Sequence, residues 1–296
     1  MNKKVGVVGL GNMGSRIAQE LINADYKVFA TDTDKSAEDG ARKMGAKVVS
    51  FLKEVAESAE IILLSLPMPS DVKEVVLGKN GILINSRKGC IIVDLSTVDP
   101  FSTQRNAKEA KKVGIGYLDA PVLGRPQKCG NWTLPVGGDK KDLEKARTVL
   151  EVLAVNIIYV GPSGYGNITK LLNNMMFGAI NSITAEILAI CAKLGMSPKV
   201  LYETIANSGA ASVSNLFREL GPKILNRDFE PLFAIDLLHK DLSLGIQMAK
   251  QAEVPLFVSE ANQRVNEMAR LMGFGKEDTA SVIKVYEKLL NIEVKG

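Results

Sequence analysis

Over residues 4–160 short apolar runs alternate with amphipathic stretches. The runs Val5–Val8, Lys27–Ala30, Ile61–Leu66, Ile91–Asp94, Ile115–Leu118, Thr133–Val136 and Ile157–Val160 read as strands, and several are apolar on successive positions, as when a sheet is covered on both faces. Between the early ones lie amphipathic segments such as Ser15–Ala24 and Leu52–Ser58. Strands alternating with helices predict an α/β parallel sheet. After Gly161-Pro162-Ser163-Gly164 the pattern turns helical. The first long stretch, from about Gly166 to Leu194, carries Leu171, Leu172, Met175, Ile180, Ile183 and Ile187, with Gly195 as its C-cap. At about 1.5 Å per residue it is roughly 40 Å long, enough to link two domains. Further helices are predicted at Pro198–Ser208, Ser212–Glu219, Ile235–Ala252, Pro255–Leu271 and Thr279–Leu290. The expected division is a sheet domain over 1–162 and an all-α domain over 163–296.

Composition narrows the function. The 296 residues are 46% apolar and 24% charged, ordinary for two soluble domains. Lys and Arg number 37 against 33 Asp and Glu, a scattered +4 that argues against a nucleic-acid or membrane-surface role. Cys90, Cys129 and Cys191 form no C-x-x-C pair, so a reducing compartment is expected. A lone histidine, His239, excludes multi-His metal sites, and acid–base chemistry falls to Lys, Asp or Glu. No metal site is expected. No apolar run reaches the length of a membrane span, and Met1-Asn2-Lys3-Lys4 leads straight into a strand, so a cytoplasmic protein is expected.

The strongest motif is Gly9-Leu10-Gly11-Asn12-Met13-Gly14, set between the first strand and the first helix. Gly9 permits the tight turn, Gly11 lets backbone approach a pyrophosphate, and Gly14 allows close helix–strand packing at a helix N-terminus that favours anions. Asp32, at the end of the next strand, suits the ribose hydroxyls and repels a 2′-phosphate, and Thr33 stands where an NADP site often carries Arg. The motif therefore predicts a Rossmann domain binding NAD in preference to NADP. A glycine-rich turn beside an ordinary surface aspartate is the bland alternative.

The chain resembles the β-hydroxyacid dehydrogenase family, which includes 3-hydroxyisobutyrate dehydrogenases and tartronate semialdehyde reductases. The resemblance covers nearly the whole chain. It rests on Val8-Gly9-Leu10-Gly11-Asn12-Met13-Gly14, Asp94-Leu95-Ser96-Thr97-Val98-Asp99-Pro100 and Asp119-Ala120-Pro121-Val122. It continues through Gly164-Tyr165-Gly166-Asn167-Ile168-Thr169-Lys170-Leu171-Leu172-Asn173-Asn174 and Lys240-Asp241-Leu242. It implies cofactor contacts from Leu66-Pro67-Met68 and Thr97, substrate contact from Ser96, and cofactor contact from Lys240. From the residues alone, Pro67 and Pro69 are equally a rigid turn, Ser96-Thr97 a helix cap, and Lys240 a surface lysine beside a carboxylate.

Lys170, Asn174 and Asn181 fall within about 40° of one another at 100° per residue, a polar stripe on an apolar helix. Desolvation suits such a lysine to acid–base work, although spacing alone equally allows a snorkelling lysine at a hinge. The resemblance implies that Lys170 exchanges a proton with the substrate oxygen while hydride moves, and that Asn174 helps hold lysine and substrate. The family assigns nothing to His239.

The pattern departs from the family at the substrate loop, Asp119-Ala120-Pro121-Val122-Leu123-Gly124-Arg125-Pro126, where Ser-Gly-Gly usually follows the Val. Leu123 donates no side-chain hydrogen bond, and Arg125 either clamps a substrate carboxylate or points to solvent. The expected function is an NAD-dependent oxidoreductase of a small 3-hydroxy acid or its semialdehyde. Reductases of glyoxylate or succinic semialdehyde, imine reductases and non-catalytic dehydrogenase-like modules are the rivals; the last two tend to lack the lysine. The expected partners are a small carboxylate substrate and a second copy, in a homodimer or homotetramer implied by the family.

Overall fold

The computed structural model describes residues 4–210 and 212–296; of the opening Met1-Asn2-Lys3-Lys4, the first three lie outside them. The chain divides into two compact units, Met1–Lys170 and Leu171–Gly296.

The first unit runs β1 (Lys4–Val8), α1 (Gly14–Asn23), β2 (Lys27–Thr31), α2 (Lys35–Lys43), β3 (Lys47–Val48), α3 (Leu52–Ser58), β4 (Ile61–Leu64), α4 (Pro69–Leu77) and α5 (Ile82–Asn85). It continues with β5 (Ile91–Asp94), α6 (Pro100–Lys112), β6 (Gly116–Asp119), β7 (Trp132–Gly137), α7 (Lys140–Leu153) and β8 (Ala154–Gly161). The sheet order β3-β2-β1-β4-β5-β6-β7-β8 is doubly wound, with the reversal between β1 and β4. All pairings are parallel except β6 with β7, which meet antiparallel at Asp119 and Gly137. A parallel return needs a crossover, usually a helix; the 120–131 connection holds only a short 3-10 turn, Pro126–Lys128, so the chain turns back on itself.

Successive strand residues serve opposite cores. Val7, Ala30, Leu63, Val93 and Leu118 pack with Ile17 and Leu21 of α1 and Leu150 of α7. Val8, Phe29, Ile62, Leu64 and Ile92 pack with Val55 of α3 and Val72 and Val76 of α4. This two-sided burial is why the strands read as continuous apolar runs.

The helix α8 (Tyr165–Lys193) follows, and its residues from Leu171 onward belong to the second unit with α9 (Pro198–Ala206), α10 (Asn215–Leu225), α11 (Ile235–Gln251), α12 (Val258–Leu271) and α13 (Ile283–Leu290). A 3-10 turn, Thr279–Val282, precedes α13. Leu188 and Ala189 of α8, Leu220 and Ile224 of α10, Ile235 of α11 and Ala269 of α12 share its core. Gly195 takes φ +80° after α8, and Ser197 caps α9, whose first residue is Pro198.

Two expectations are corrected, and one strand is added to those predicted. By length and composition α8 is, at 29 residues, long and apolar enough to cross a membrane. An average over the helix tolerates Asn173, Asn174 and Thr184, which break any uninterrupted run. Asn181 pairs with Thr279 O and Ser182 with Asn262 inside the unit, and 39% of the apolar window is buried. The helix expected to end at Glu219 continues through Pro222. Proline cannot donate to the carbonyl of Arg218 four residues back, and the Tyr202 hydroxyl does so instead at 3.1 Å. The two-residue edge strand β3 was not expected at all.

Candidate functional site

The turn after β1 is tied to both neighbouring strands: Gly9 N donates to Thr31 O at 3.1 Å, and Ser65 N donates to Val8 O at 2.9 Å. Gly9 has φ +90°, and a Cβ there would strike the Ser65 carbonyl; one at Gly14 would strike the Gly9 carbonyl. Gly11 differs, since a Cβ there would meet nothing within 4 Å. Packing explains the outer glycines, and Gly11 leaves an open face of backbone. Helices α2, α6 and α7 are capped by Asp34, Asp99 and Asp139, whereas α1 has neither a side-chain cap nor an acidic residue in its first turn. In its first turn Ser15 N and Ile17 N donate to Gly11 O and Met13 O, at 2.9 and 3.0 Å, and no acidic side chain competes with an anion at the positive end of the helix. Asp32 accepts from Leu10 N and from Asp34 N, which turns its carboxylate toward the glycine turn. Leu10 itself is a core side chain, while Asn12 is exposed and Met13 half-buried. An open glycine, an uncapped helix and an adjacent carboxylate fit a dinucleotide.

The same sheet edge carries the next two loops. Leu66 N donates to Ser96 Oγ at 2.9 Å, and Ser96 N donates to Asp94 Oδ1 at 3.0 Å. Ser96 is buried, so its hydroxyl oxygen ties the Leu66-Pro67-Met68 loop to the end of β5; Thr97 is half-buried and Met68 exposed.

The 120–131 loop is fixed from below. Leu123 and Thr133 exchange both backbone hydrogen bonds, at 3.0 and 3.2 Å, and Trp132 Nε1 donates to Arg125 O at 2.8 Å. A Cβ at Gly124 would strike the Trp132 ring. Lys170 Nζ donates to Val122 O at 2.7 Å, placing the amine against this loop.

Two residues that motif reading did not single out hold this arrangement. Asp119, buried at the end of β6, accepts from Gly164 N at 2.8 Å and Asn167 N at 3.0 Å. Burial raises its carboxyl to about 6, the two N–H groups pulling the other way. The buried Asn167 accepts from Val98 N at 3.1 Å and donates to Thr103 Oγ1 at 3.1 Å. Both lay in plain view inside the quoted motifs, but a buried carboxylate at a strand end gives no chemical signature in sequence.

In the second unit Asn174 Nδ2 donates to Asp241 Oδ2 at 2.5 Å, and Lys240 Nζ lies 2.9 Å from Asp241 Oδ1. Lys240 is thus paired with a neighbouring carboxylate, though its side chain is only 14% exposed and no ordinary surface lysine. Asp241, itself buried, is the residue there that sequence reading passed over. Burial lowers the basicity of His239, and the Arg270 guanidinium, 3.1 Å from its ring, adds to the effect.

Residues 4–161 match the family described as the NAD binding domain of 6-phosphogluconate dehydrogenase, and residues 164–286 that described as NAD-binding of NADP-dependent 3-hydroxyisobutyrate dehydrogenase. A 2-(hydroxymethyl)glutarate dehydrogenase of Eubacterium barkeri is 35% identical over 295 residues, 99% of this chain and 98% of that protein. The mitochondrial 3-hydroxyisobutyrate dehydrogenase of Mus musculus is 31% identical, covering 95% of this chain and 86% of its own. Among solved structures, the Mycobacterium tuberculosis 3-hydroxyisobutyrate dehydrogenase with L-serine is 27% identical with a TM-score of 0.86, covering 96% of this chain and 99% of that one. The chain belongs to the β-hydroxyacid dehydrogenase family of NAD(P)-dependent oxidoreductases.

Proposed function

We propose that this protein oxidises a small 3-hydroxy acid of the form HOCH2–CH(R)–COO⁻ to its semialdehyde with NAD, or runs the reverse, and that Lys170 is the proton-transfer group. The observation that carries this is the Lys170 amine held on Val122 O at 2.7 Å, against the loop where the family binds substrate. The compounds named for the relatives, 2-(hydroxymethyl)glutarate and 3-hydroxyisobutyrate, share that carbon frame and differ in R.

Bound NAD supplies the acceptor for the hydride leaving the carbinol carbon. Gly9, Leu10, Gly11, Asn12, Met13 and Gly14 would hold its pyrophosphate on backbone, with Asp32 at the adenosine ribose and Leu66, Pro67, Met68 and Thr97 along the same sheet edge. As the C–H electron pair departs, the Lys170 amine takes the hydroxyl proton; in reduction the ammonium returns it to the carbonyl oxygen. The Val122 carbonyl occupies one ammonium donor and so aims the others. Leu123 gives the substrate loop an apolar wall, Gly124 offers backbone, and Arg125 takes a carboxylate. Ser96 acts chiefly through the loop it ties. Asn174 and Lys240 carry the family's substrate and cofactor roles, both held by Asp241. Residues 1–162 form the dinucleotide domain and 163–296 the substrate and oligomerisation domain. The exposed Leu172, Met176, Ile183 and Ile190 of α8 support pairing with a second copy.

The test is a panel of 3-hydroxyisobutyrate, 2-(hydroxymethyl)glutarate and L-serine, each with NAD and NADP. NADH production from at least one is expected; no turnover of any would contradict the reading.

A further inference from the structure

We propose that Asp119 is a positioning residue for the reaction: as a carboxylate it grips the N-terminus of α8 and thereby sets where Lys170 stands. The inference rests on the reading of Lys170 as the proton-transfer group. Gly164 N and Asn167 N bind the two carboxylate oxygens separately, at 2.8 and 3.0 Å. Lys170 follows Asn167 by three residues, just under one helical turn, and its Nζ returns to Val122 O, three residues beyond Asp119. The end of β6 and the first turns of α8 are therefore joined twice, once by the carboxylate and once by the amine. Asn167 braces the same turn from its other side through Val98 N and Thr103.

The surroundings are shaped for a carboxylate of this length. A Cβ at Gly137 would lie 2.6 Å from Asp119 Oδ1, and one at Gly166 would strike the Asp119 carbonyl. An asparagine would keep one acceptor and turn its NH2 toward a backbone N–H, losing half of the grip. The titratable groups that face Asp119 are Asp94, its register partner on β5, and Tyr117 of β6, whose hydroxyl donates to Asp94 at 2.8 Å. From α8 and β7 it meets the Gly164 and Asn167 N–H groups and Gly137. With its carboxyl near 6, the grip is charged at neutral pH and lost in acid.

The experiment compares wild type, Asp119→Asn and Lys170→Ala in the full chain, with NAD and the best substrate of the panel above. Wild-type kcat is expected to fall on an acid limb near pH 6; for Asp119→Asn the expected result is a kcat at pH 8 at least tenfold below wild type, a Kd for NADH within twofold, and loss of that limb. A smaller fall in kcat, or a limb that persists unchanged, overturns the proposal. An inactive Lys170→Ala beside a fully active Asp119→Asn sinks this inference alone; an active Lys170→Ala sinks the reading of Lys170 itself. Should Asp119→Asn not fold, a carbon-13 carboxyl titration of wild type decides. The Asp119 resonance is expected to share its midpoint with the acid limb, and midpoints more than one pH unit apart overturn the proposal.

Discussion

Trp132→Phe tests whether the 120–131 loop is held for substrate. Trp132 is fully buried, and its Nε1 is the donor to Arg125 O. Phenylalanine keeps the apolar contact but loses that hydrogen bond, worth about 1 kcal/mol net, and leaves Arg125 O only the bond from Lys128 N of its own loop. The smaller ring leaves a partial cavity, bringing the total to about 2–3 kcal/mol. For a domain of this size each kcal/mol lowers the melting temperature by about 2–4 °C, so a fall of about 5–10 °C is expected by calorimetry. With Arg125 O held only by Lys128 N and no longer tied to Trp132, that part of the loop must be ordered by the substrate. An ordering cost of about 1–1.5 kcal/mol raises KM for the hydroxy acid roughly tenfold. The glycine turn and Asp32 lie outside the 120–131 loop, and Kd for NADH is expected to stay within twofold. A melting temperature lowered as calculated with KM unchanged would refute the assignment of this loop to substrate.

Asp32→Ala removes a charge that a 2′-phosphate would face, an interaction of about 1–2 kcal/mol for a partly exposed pair, so kcat/KM with NADP is expected to rise about tenfold; a wild type that already prefers NADP contradicts the argument. Arg125→Ala is expected to raise KM for carboxylate substrates about tenfold or more with kcat little changed, and an unchanged KM returns the guanidinium to solvent. Asp119 also makes a stability prediction. Its folded value of about 6 lies above the ordinary 3.8, so the protonated form is favoured in the folded state. Its stabilising contribution is full below pH 4 and lost as pH rises through 6. The unfolding free energy of wild type relative to Asp119→Asn should therefore drop by up to about 3 kcal/mol between pH 4 and 7 and then level off; a flat difference across that range refutes it.

The chain discloses its architecture readily because each strand is buried on both faces, which makes Ile61–Leu64 and Ile91–Asp94 unmistakable apolar runs. It conceals β3, whose two residues, Lys47 and Val48, form too short an edge to show a period. It also conceals the continuation of α10, since the hydroxyl that rescues the Arg218 carbonyl comes from Tyr202 on another helix. The site divides in the same way. Gly9, Gly11, Gly14 and Asp32 announce themselves because all four stand at short, fixed spacings around one strand–turn–helix–strand unit. The burial of Ser96 beneath the Leu66 loop, and the grip of Asp119 on α8, depend on partners 30 and 45 residues away in sequence. Such pairings leave no local mark. Lys170 stands between the two cases: the helix pattern isolates it as an odd cation on an apolar surface, and only the fold brings its amine to Val122.

The most direct test of the account is turnover by Lys170→Ala with and without a small primary amine in solution. The variant is expected to bind NADH with a Kd within twofold of wild type, to lose at least a thousandfold in kcat, and to regain part of it as ethylamine is added, because a free amine can then take the hydroxyl proton. A variant that oxidises the substrate at the wild-type rate without amine would contradict the role given to Lys170.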